Sequence, residues 1–350
     1  QGTVPTNSTQ RDILRSRDEN QWHNAEVIAL LAGIAGLFHD FGKANRLFQN
    51  KLLKIGASFE PCRHEWVSLR LFTAFVAERK DAQWLQALAE VSTEDEPALL
   101  AHLIADDLRT QQNPFTTLPP LAKVVAWLIV SHHRLPVYPV SSRWPEYKNP
   151  PDLKYHDHWL SECFSPGWNS PQFKNDYAGS VREHNWQFPQ GTPFKSATWC
   201  RKAQEIARRA LQSNVLYNGE GWFEQRFTLH LSRLVLMLAD HFYSAQPVTE
   251  KWQDRNYTAF ANTDRITHEC KQRLDEHNIG VAHNAFLLAR SLPVLRDSLP
   301  AITRHKDFKK RATESRFRWQ DKAYDLACAL REQTRQQGFF GVNMASTGCG

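Results

Sequence analysis

The sequence predicts a mainly α-helical domain followed, near its C-terminal end, by the first elements of a nucleotide-binding α/β domain. Three observations carry this. Apolar residues recur at three- and four-residue spacing through most of the chain. Five prolines within 135–151 break that pattern once, in a long irregular excursion. Last, Phe339-Phe340-Gly341-Val342-Asn343-Met344 reads as a short buried strand entering a Gly-bearing loop. A length of 350 residues fits two domains, or one large domain with an appendage, at roughly 100–200 residues each. With 41% hydrophobic and 23% charged residues, the composition excludes disordered and collagen-like classes.

Taken in order, the periodicity predicts helices over Trp22–Leu37, Arg63–Lys80, Pro97–Leu108 and Leu121–His133. The stretch from Arg134 to about Ala203 has no such pattern. Helices are expected again over about Trp222–Ser244 and Ala282–Arg296. In the former, Phe223, Phe227, Leu231, Leu234, Met237 and Leu238 form the expected buried stripe. The segment Arg304–Lys322 holds eight Lys/Arg against three Asp/Glu, before a helix from about Trp319 to Gln336. A boundary belongs at 300–315, giving domains 1–300 and 301–350.

The apolar-plus-Gly run Val27–Phe38 has 12 residues, short of the roughly 20 that span a bilayer. No charged-then-apolar signal segment opens the chain, and it begins with Gln, as expected of a fragment or processed chain. The six cysteines form no CxxC pair, which argues against a zinc ribbon or a disulfide framework and for a reducing cytoplasm. The net charge of +6 lies in the second half: residues 176–350 carry 25 Lys+Arg against 18 Asp+Glu. A polyanionic partner on that side and a plain solvated basic face both explain it.

The sharpest local signal is His39-Asp40, where a strongly apolar helix ends. A buried His and Asp need partners, and a metal satisfies both. His64 opens the next helix, His132-His133 closes another, and Asp240 interrupts a mostly apolar helix face. Each has a bland reading, as a dipole-stabilised helix end or a capped surface acid. Together they favour Mn, Fe, Co or Ni over Ca or Mg, which take mostly oxygen ligands. His156 and His158 resemble a metal motif in composition only, and read as surface residues of the Pro-rich excursion.

His39-Asp40, His64, His132-His133 and Asp240, in that order, resemble the signature of the HD phosphohydrolase superfamily. Phe38-His39-Asp40-Phe41-Gly42-Lys43-Ala44, Phe48-Gln49 and Ser131-His132-His133-Arg134 are similar to the nuclease domain of the CRISPR-associated type I helicase–nuclease, nearest in wording to subtype I-F. The likeness spans roughly residues 20–245. It implies two adjacent metals: His39, Asp40 and Asp240 on one, with Asp40 bridging to a second completed by His64, His132 and His133. Such a pair activates water and stabilises both oxygens of a phosphate displacement. Asp40 and Lys43 are the expected catalytic residues, Lys43 by neutralising phosphate charge, with a plain surface lysine as the alternative. The family pattern also has a His on a preceding helix. Here only His23 precedes the pair, and on a continuous helix it lies roughly 24 Å from His39. Gly33 and Gly36 would permit a break, but the apolar run favours continuity, so His23 is left out.

At the C-terminal end, Ala345–Gly350 is similar to the AxTGxG half of a helicase Walker A loop, with Thr347, Gly348 and Gly350 as partial nucleotide-binding residues. Phe317-Arg318-Trp319-Gln320 resembles the adenine-reading Q motif, with Gln320 as its reader. The resemblance therefore implies an HD nuclease domain over 1–300, with a linker and the truncated start of a RecA-like helicase domain over 301–350. Its implied activity is metal-dependent cleavage of single-stranded DNA, with ATP and Mg serving the helicase of the intact protein. The implied partners are an RNA-guided surveillance complex and, for subtype I-F, spacer-acquisition proteins, with no membrane. Two rivals stay open: an HD phosphohydrolase acting on nucleotides or cyclic nucleotides, and a degenerate HD docking module.

Overall fold

A computed structural model describes residues 24–56, 60–107, 112–135, 182–213, 216, 226–294 and 310–334. The chain divides into two compact units. One runs from His23 to Leu292, and the other takes the described residues from Pro293 onward. Among the described residues the architecture is mainly α, with no strand and only two isolated bridges, Phe260 to Arg273 and Thr263 to Cys270.

The larger unit is built around α1 (Ala25–Phe38), whose residues from Val27 to Phe38 are all buried. By length and composition the stretch Ala25–Ala44 would suffice to cross a membrane, yet 89% of its 18-residue apolar window is buried inside this protein. A helix apolar all round is one enclosed by other helices. Short α2 (Arg46–Leu52) follows, capped by Asn45, whose Oδ1 accepts from the Phe48 N–H at 2.9 Å. Then come α3 (His64–Val76), α4 (Asp81–Glu90), α5 (Glu96–Ala101) and α6 (Pro120–Ser131). Asp81 accepts from the N–H groups of Leu121 and Ala122 at 2.9 and 3.1 Å, tying the start of α4 to the start of α6. The unit is completed by α7 (Ala197–Gln212), α8 (Arg226–Ala245) and α9 (Leu274–Ser291).

Glycines decide how closely α1 and α9 approach. A Cβ on Gly36 would lie 3.0 Å from backbone atoms of Ala282, and one on Gly33 would lie 2.4 Å from the Phe286 ring. These glycines do not break α1, which is continuous; they let α9 lie against it. The helix expected at Ala282–Arg296 instead starts at Leu274. Its first turns, Asp275-Glu276-His277-Asn278, are polar but fully buried, so a search for apolar spacing passes over them.

The buried stripe of α8 also differs from expectation. Phe227, Leu234 and Leu238 are exposed, while Thr228, Ser232, Val235, Leu236, Ala239, Asp240 and Tyr243 face inward. The inward face carries polar residues of the site, so hydrophobicity alone selects the wrong side. Apolar spacing likewise overextends α5, which ends at Ala101 and frees Asp106 to pair with Arg70 in the core. It also passed over α2, α4 and α7, the last starting inside the stretch assigned no pattern.

In the second unit, α10 spans Arg318–Thr334. Arg311 is held bidentate by Asp325 and Arg316 by Glu314, so part of the basic segment is internally paired. The expected strand Phe339–Met344 and the Thr347, Gly348 and Gly350 loop lie outside the described residues, as do His23, His156 and His158.

Candidate metal centre

α1 delivers the first two residues of the centre. His39 is its C-cap, and its Nδ1 donates to the Gly36 carbonyl at 2.8 Å. Asp40 follows, and the chain turns through a 3₁₀ segment, Phe41–Ala44, to reach α2. That turn packs against the start of α3 because residue 42 has no side chain: a Cβ there would lie 2.1 Å from the His64 carbonyl oxygen. The Gly42 N–H donates to Ser68 Oγ at 2.8 Å, which locks the contact. Gln49 anchors the turn from behind, donating to the Lys43 and Phe260 carbonyls at 2.7 and 2.8 Å.

The two carboxylate oxygens of Asp40 look in different directions. Oδ1 lies 3.3 Å from His64 Nε2 and 3.8 Å from His132 Nε2. Oδ2 lies 3.3 Å from His39 Nε2, 3.1 Å from His277 Nε2 and 2.6 Å from Lys43 Nζ. Asp240 closes the second side, its Oδ1 being 3.3 Å from His277 Nε2 and 3.8 Å from His39 Nε2. His133 stacks beside His132 with ring centroids 4.0 Å apart and faces outward. Two sets of donor atoms therefore share Asp40: Asp40, His64, His132 and His133, and His39, Asp40, Asp240 and His277.

Neighbouring elements aim these side chains. His132 Nδ1 donates to the Ile129 carbonyl at 2.6 Å. Arg233 of α8 holds the Ser131 carbonyl through two N–H bonds, fixing where α6 stops and the His pair begins. With Nδ1 committed, His39 and His132 each turn Nε2 toward Asp40.

The electrostatics are those of a site built for positive charge. Burial works against an imidazolium at His39, but the Asp40 and Asp240 carboxylates outweigh it and raise its pKa to about 10. Burial alone would push Asp40 up, yet His39 and Lys43 hold it well below the usual carboxylate range. His132 is pushed down by burial and by His133 and His39, and His133 is lowered to about 4 by burial and His64. A metal binds neutral imidazole, so a cation held on the His39 side would displace that proton.

The residues fit a metal on one specific ground. His39 Nε2, His64 Nε2, His132 Nε2 and His277 Nε2 are buried and make no hydrogen bond, and the Asp40 oxygens they face are matched only by the Lys43 ammonium. Native proteins leave only a few such atoms unmatched per hundred residues, each calling for an explanation. Four imidazole nitrogens converging on one carboxylate is what a cation-binding cluster looks like without its cation.

All six residues singled out as ligands from the sequence, and Lys43 with them, are thus brought together. Gln320 is not among them; it is exposed on α10 in the other unit. His277 was missed. The signal available for it was an unusual polar run, Asp275-Glu276-His277-Asn278, directly before an apolar helical stretch. Spatially it stands beside His39, with ring centroids 5.6 Å apart, although in sequence it follows the His39-Asp40 pair instead of preceding it.

No family model matches the chain. A CRISPR-associated nuclease/helicase Cas3 of subtype I-F/YPEST from Pectobacterium atrosepticum is 56% identical over the whole of this chain. A protein of the same description from Pseudomonas aeruginosa is 46% identical, again over the whole chain. The chain spans about a third (32%) of the length of each of these relatives. From end to end, then, it is homologous to one segment of the CRISPR-associated nuclease/helicases of subtype I-F, the family that its motifs resemble.

Proposed function

We propose that this chain is the metal-dependent nuclease part of an ATP-dependent helicase–nuclease, cutting phosphodiester bonds in single-stranded DNA. The observation that carries the reading is the set of four unmatched buried imidazole nitrogens arranged on two sides of Asp40. His39, Asp40, Asp240 and His277 would hold one divalent cation, and Asp40, His64, His132 and His133 the other. Five imidazoles with two carboxylates suit Mn, Fe, Co or Ni better than Ca or Mg. Bound there, the paired cations supply activation of water and neutralisation of phosphate charge.

The chain's own residues do the rest. Asp40 offers one oxygen to each donor set and keeps both sets in register. His39 and His132, with Nδ1 fixed on backbone carbonyls, present Nε2 without rotamer search. Lys43, part-exposed beside Asp40, keeps a positive charge where an anionic backbone arrives. His133, at the outward edge of its set, marks the side from which substrate enters.

By homology, an RNA-guided surveillance complex presents the strand, and ATP with Mg drives translocation by the helicase part, in which Gln320, Thr347, Gly348 and Gly350 belong to the nucleotide site. Spacer-acquisition proteins are a further proposed partner, and a reducing cytoplasm the proposed compartment. The described cysteines Cys62, Cys200, Cys270 and Cys328 are all free, in keeping with it. The test is to offer the EDTA-treated chain single-stranded DNA, a cyclic dinucleotide and dNTPs, with and without Mn²⁺. Mn²⁺-dependent cleavage of the single strand alone is expected. Turnover of the cyclic dinucleotide or dNTPs instead would make it a nucleotide phosphohydrolase, and binding to the surveillance complex without any turnover would make it a docking module.

A further inference from the structure

His277 differs from its neighbours in how its ring is held. The Nδ1 atoms of His39 and His132 rest on main-chain carbonyls of their own helices. His277 Nδ1 instead lies 3.0 Å from Oε1 of Gln272, a fully buried side chain just ahead of α9. Which way that amide faces is settled by its other end. Its NH₂ group donates to the Tyr243 carbonyl at 2.9 Å and the Gln246 carbonyl at 3.0 Å, neither of which can serve as a donor. Its oxygen therefore faces the ring, and it also receives Asn262 Nδ2 at 2.8 Å. An amide oxygen only accepts, so His277 Nδ1 carries the proton, and Nε2 faces Asp40 and Asp240, where its lone pair is available to a cation bound between them.

We propose that Gln272 is a positioning residue for the metal centre: it fixes the Nδ1–H tautomer of His277 and so aims Nε2 into the His39, Asp40 and Asp240 donor set. Gln272 also joins two ligand-bearing helices, since Tyr243 lies on α8 with Asp240 and Gln246 directly follows that helix. The inference rests on the metal-centre reading above. Side chains that hold the far nitrogen of a ligating histidine are typically worth 10–100-fold in metal affinity.

The two functions of this amide can be separated by substitution. Gln272→Met removes both the acceptor and the donors, whereas Gln272→Glu keeps an acceptor for His277 and loses the donors to the α8 carbonyls. Mn²⁺ titrated calorimetrically into the EDTA-treated full chain should show two sites in the wild type. Gln272→Met should weaken one of them by 10–100-fold and leave the other unchanged, and Gln272→Glu should restore it to within about threefold of wild type. Wild-type affinity at both sites in Gln272→Met, or an equal loss in Gln272→Glu, would overturn the proposal and leave the metal centre standing. A wild type that takes up no Mn²⁺ would overturn the metal centre itself. Should the Met variant not fold, histidine-¹⁵N spectra of the wild-type chain loaded with Zn²⁺ decide the matter. A proton on His277 Nδ1 is expected, and coordination through Nδ1 would refute it.

Discussion

Asp40 is the residue on which the most depends, because its two oxygens serve different donor sets. Asp40→Ala should remove metal from both sets and abolish Mn²⁺-dependent cleavage by several orders of magnitude, with circular dichroism unchanged; near-normal cleavage would defeat the bridging assignment. His64→Ala should be milder, since it touches one set alone. His39 yields a pH prediction for the metal-free chain. Its folded-state pKa of about 10 exceeds its ordinary value of 6.5, so its stabilising contribution is complete below 6.5 and is lost as the pH rises toward 10. The melting-temperature gap between EDTA-treated wild type and His39→Asn should therefore shrink across that window. A gap that stays constant would mean the imidazole is neutral throughout.

Among the elements, the 3₁₀ turn between α1 and α2 is the most tightly constrained. A methyl at residue 42 would strike the His64 carbonyl oxygen and come within 2.9 Å of the Ser68 nitrogen, both backbone atoms with little freedom to retreat. Gly42→Ala should cost about 1–3 kcal/mol and move α3 away from Asp40. Thermal melts together with Mn²⁺ stoichiometry would register this as a lower midpoint and a weakened His64 side. A variant as stable as wild type would show that the α3 contact is looser than its geometry implies. The glycines of α1 act similarly toward α9, and through α9 they set the distance from His39 to His277. Ring centroids of those two histidines stand 5.6 Å apart, a spacing that two helices with larger facing residues could not reach.

For the molecule as a whole, the centre gathers two carboxylates and several unmatched buried nitrogens, a cost that bound cations would relieve beyond what His39 and Lys43 already offset. Ligands that bind the native state alone stabilise it by mass action, by about 2.7 kcal/mol per site at a hundredfold excess over Kd. Adding Mn²⁺ to the EDTA-treated chain should raise its melting temperature by several degrees, and Asp40→Ala should show no such rise. An equal shift in that variant would locate the cation elsewhere.

Much of the site was legible in the amino-acid order. His39-Asp40, His64, His132-His133 and Asp240 stand out because polar ligand types interrupt or end apolar helices, and the structure brings these six together around one carboxylate. The mainly helical class followed from the spacing of apolar residues for the same reason. Besides the helices α2, α4 and α7, what escaped were the places whose buried face is polar: the start of α9, the inward side of α8, and His277 itself. Periodicity equates buried with apolar, and that equation fails where a protein buries hydrogen-bonded and ligating groups on purpose. Gly33 and Gly36 were visible as residues but ambiguous in effect, since a glycine can break a helix or admit a neighbour. Only the packing of α9 against α1 decided between the two, because close approach depends on a partner more than 240 residues away in sequence and is written in neither helix alone.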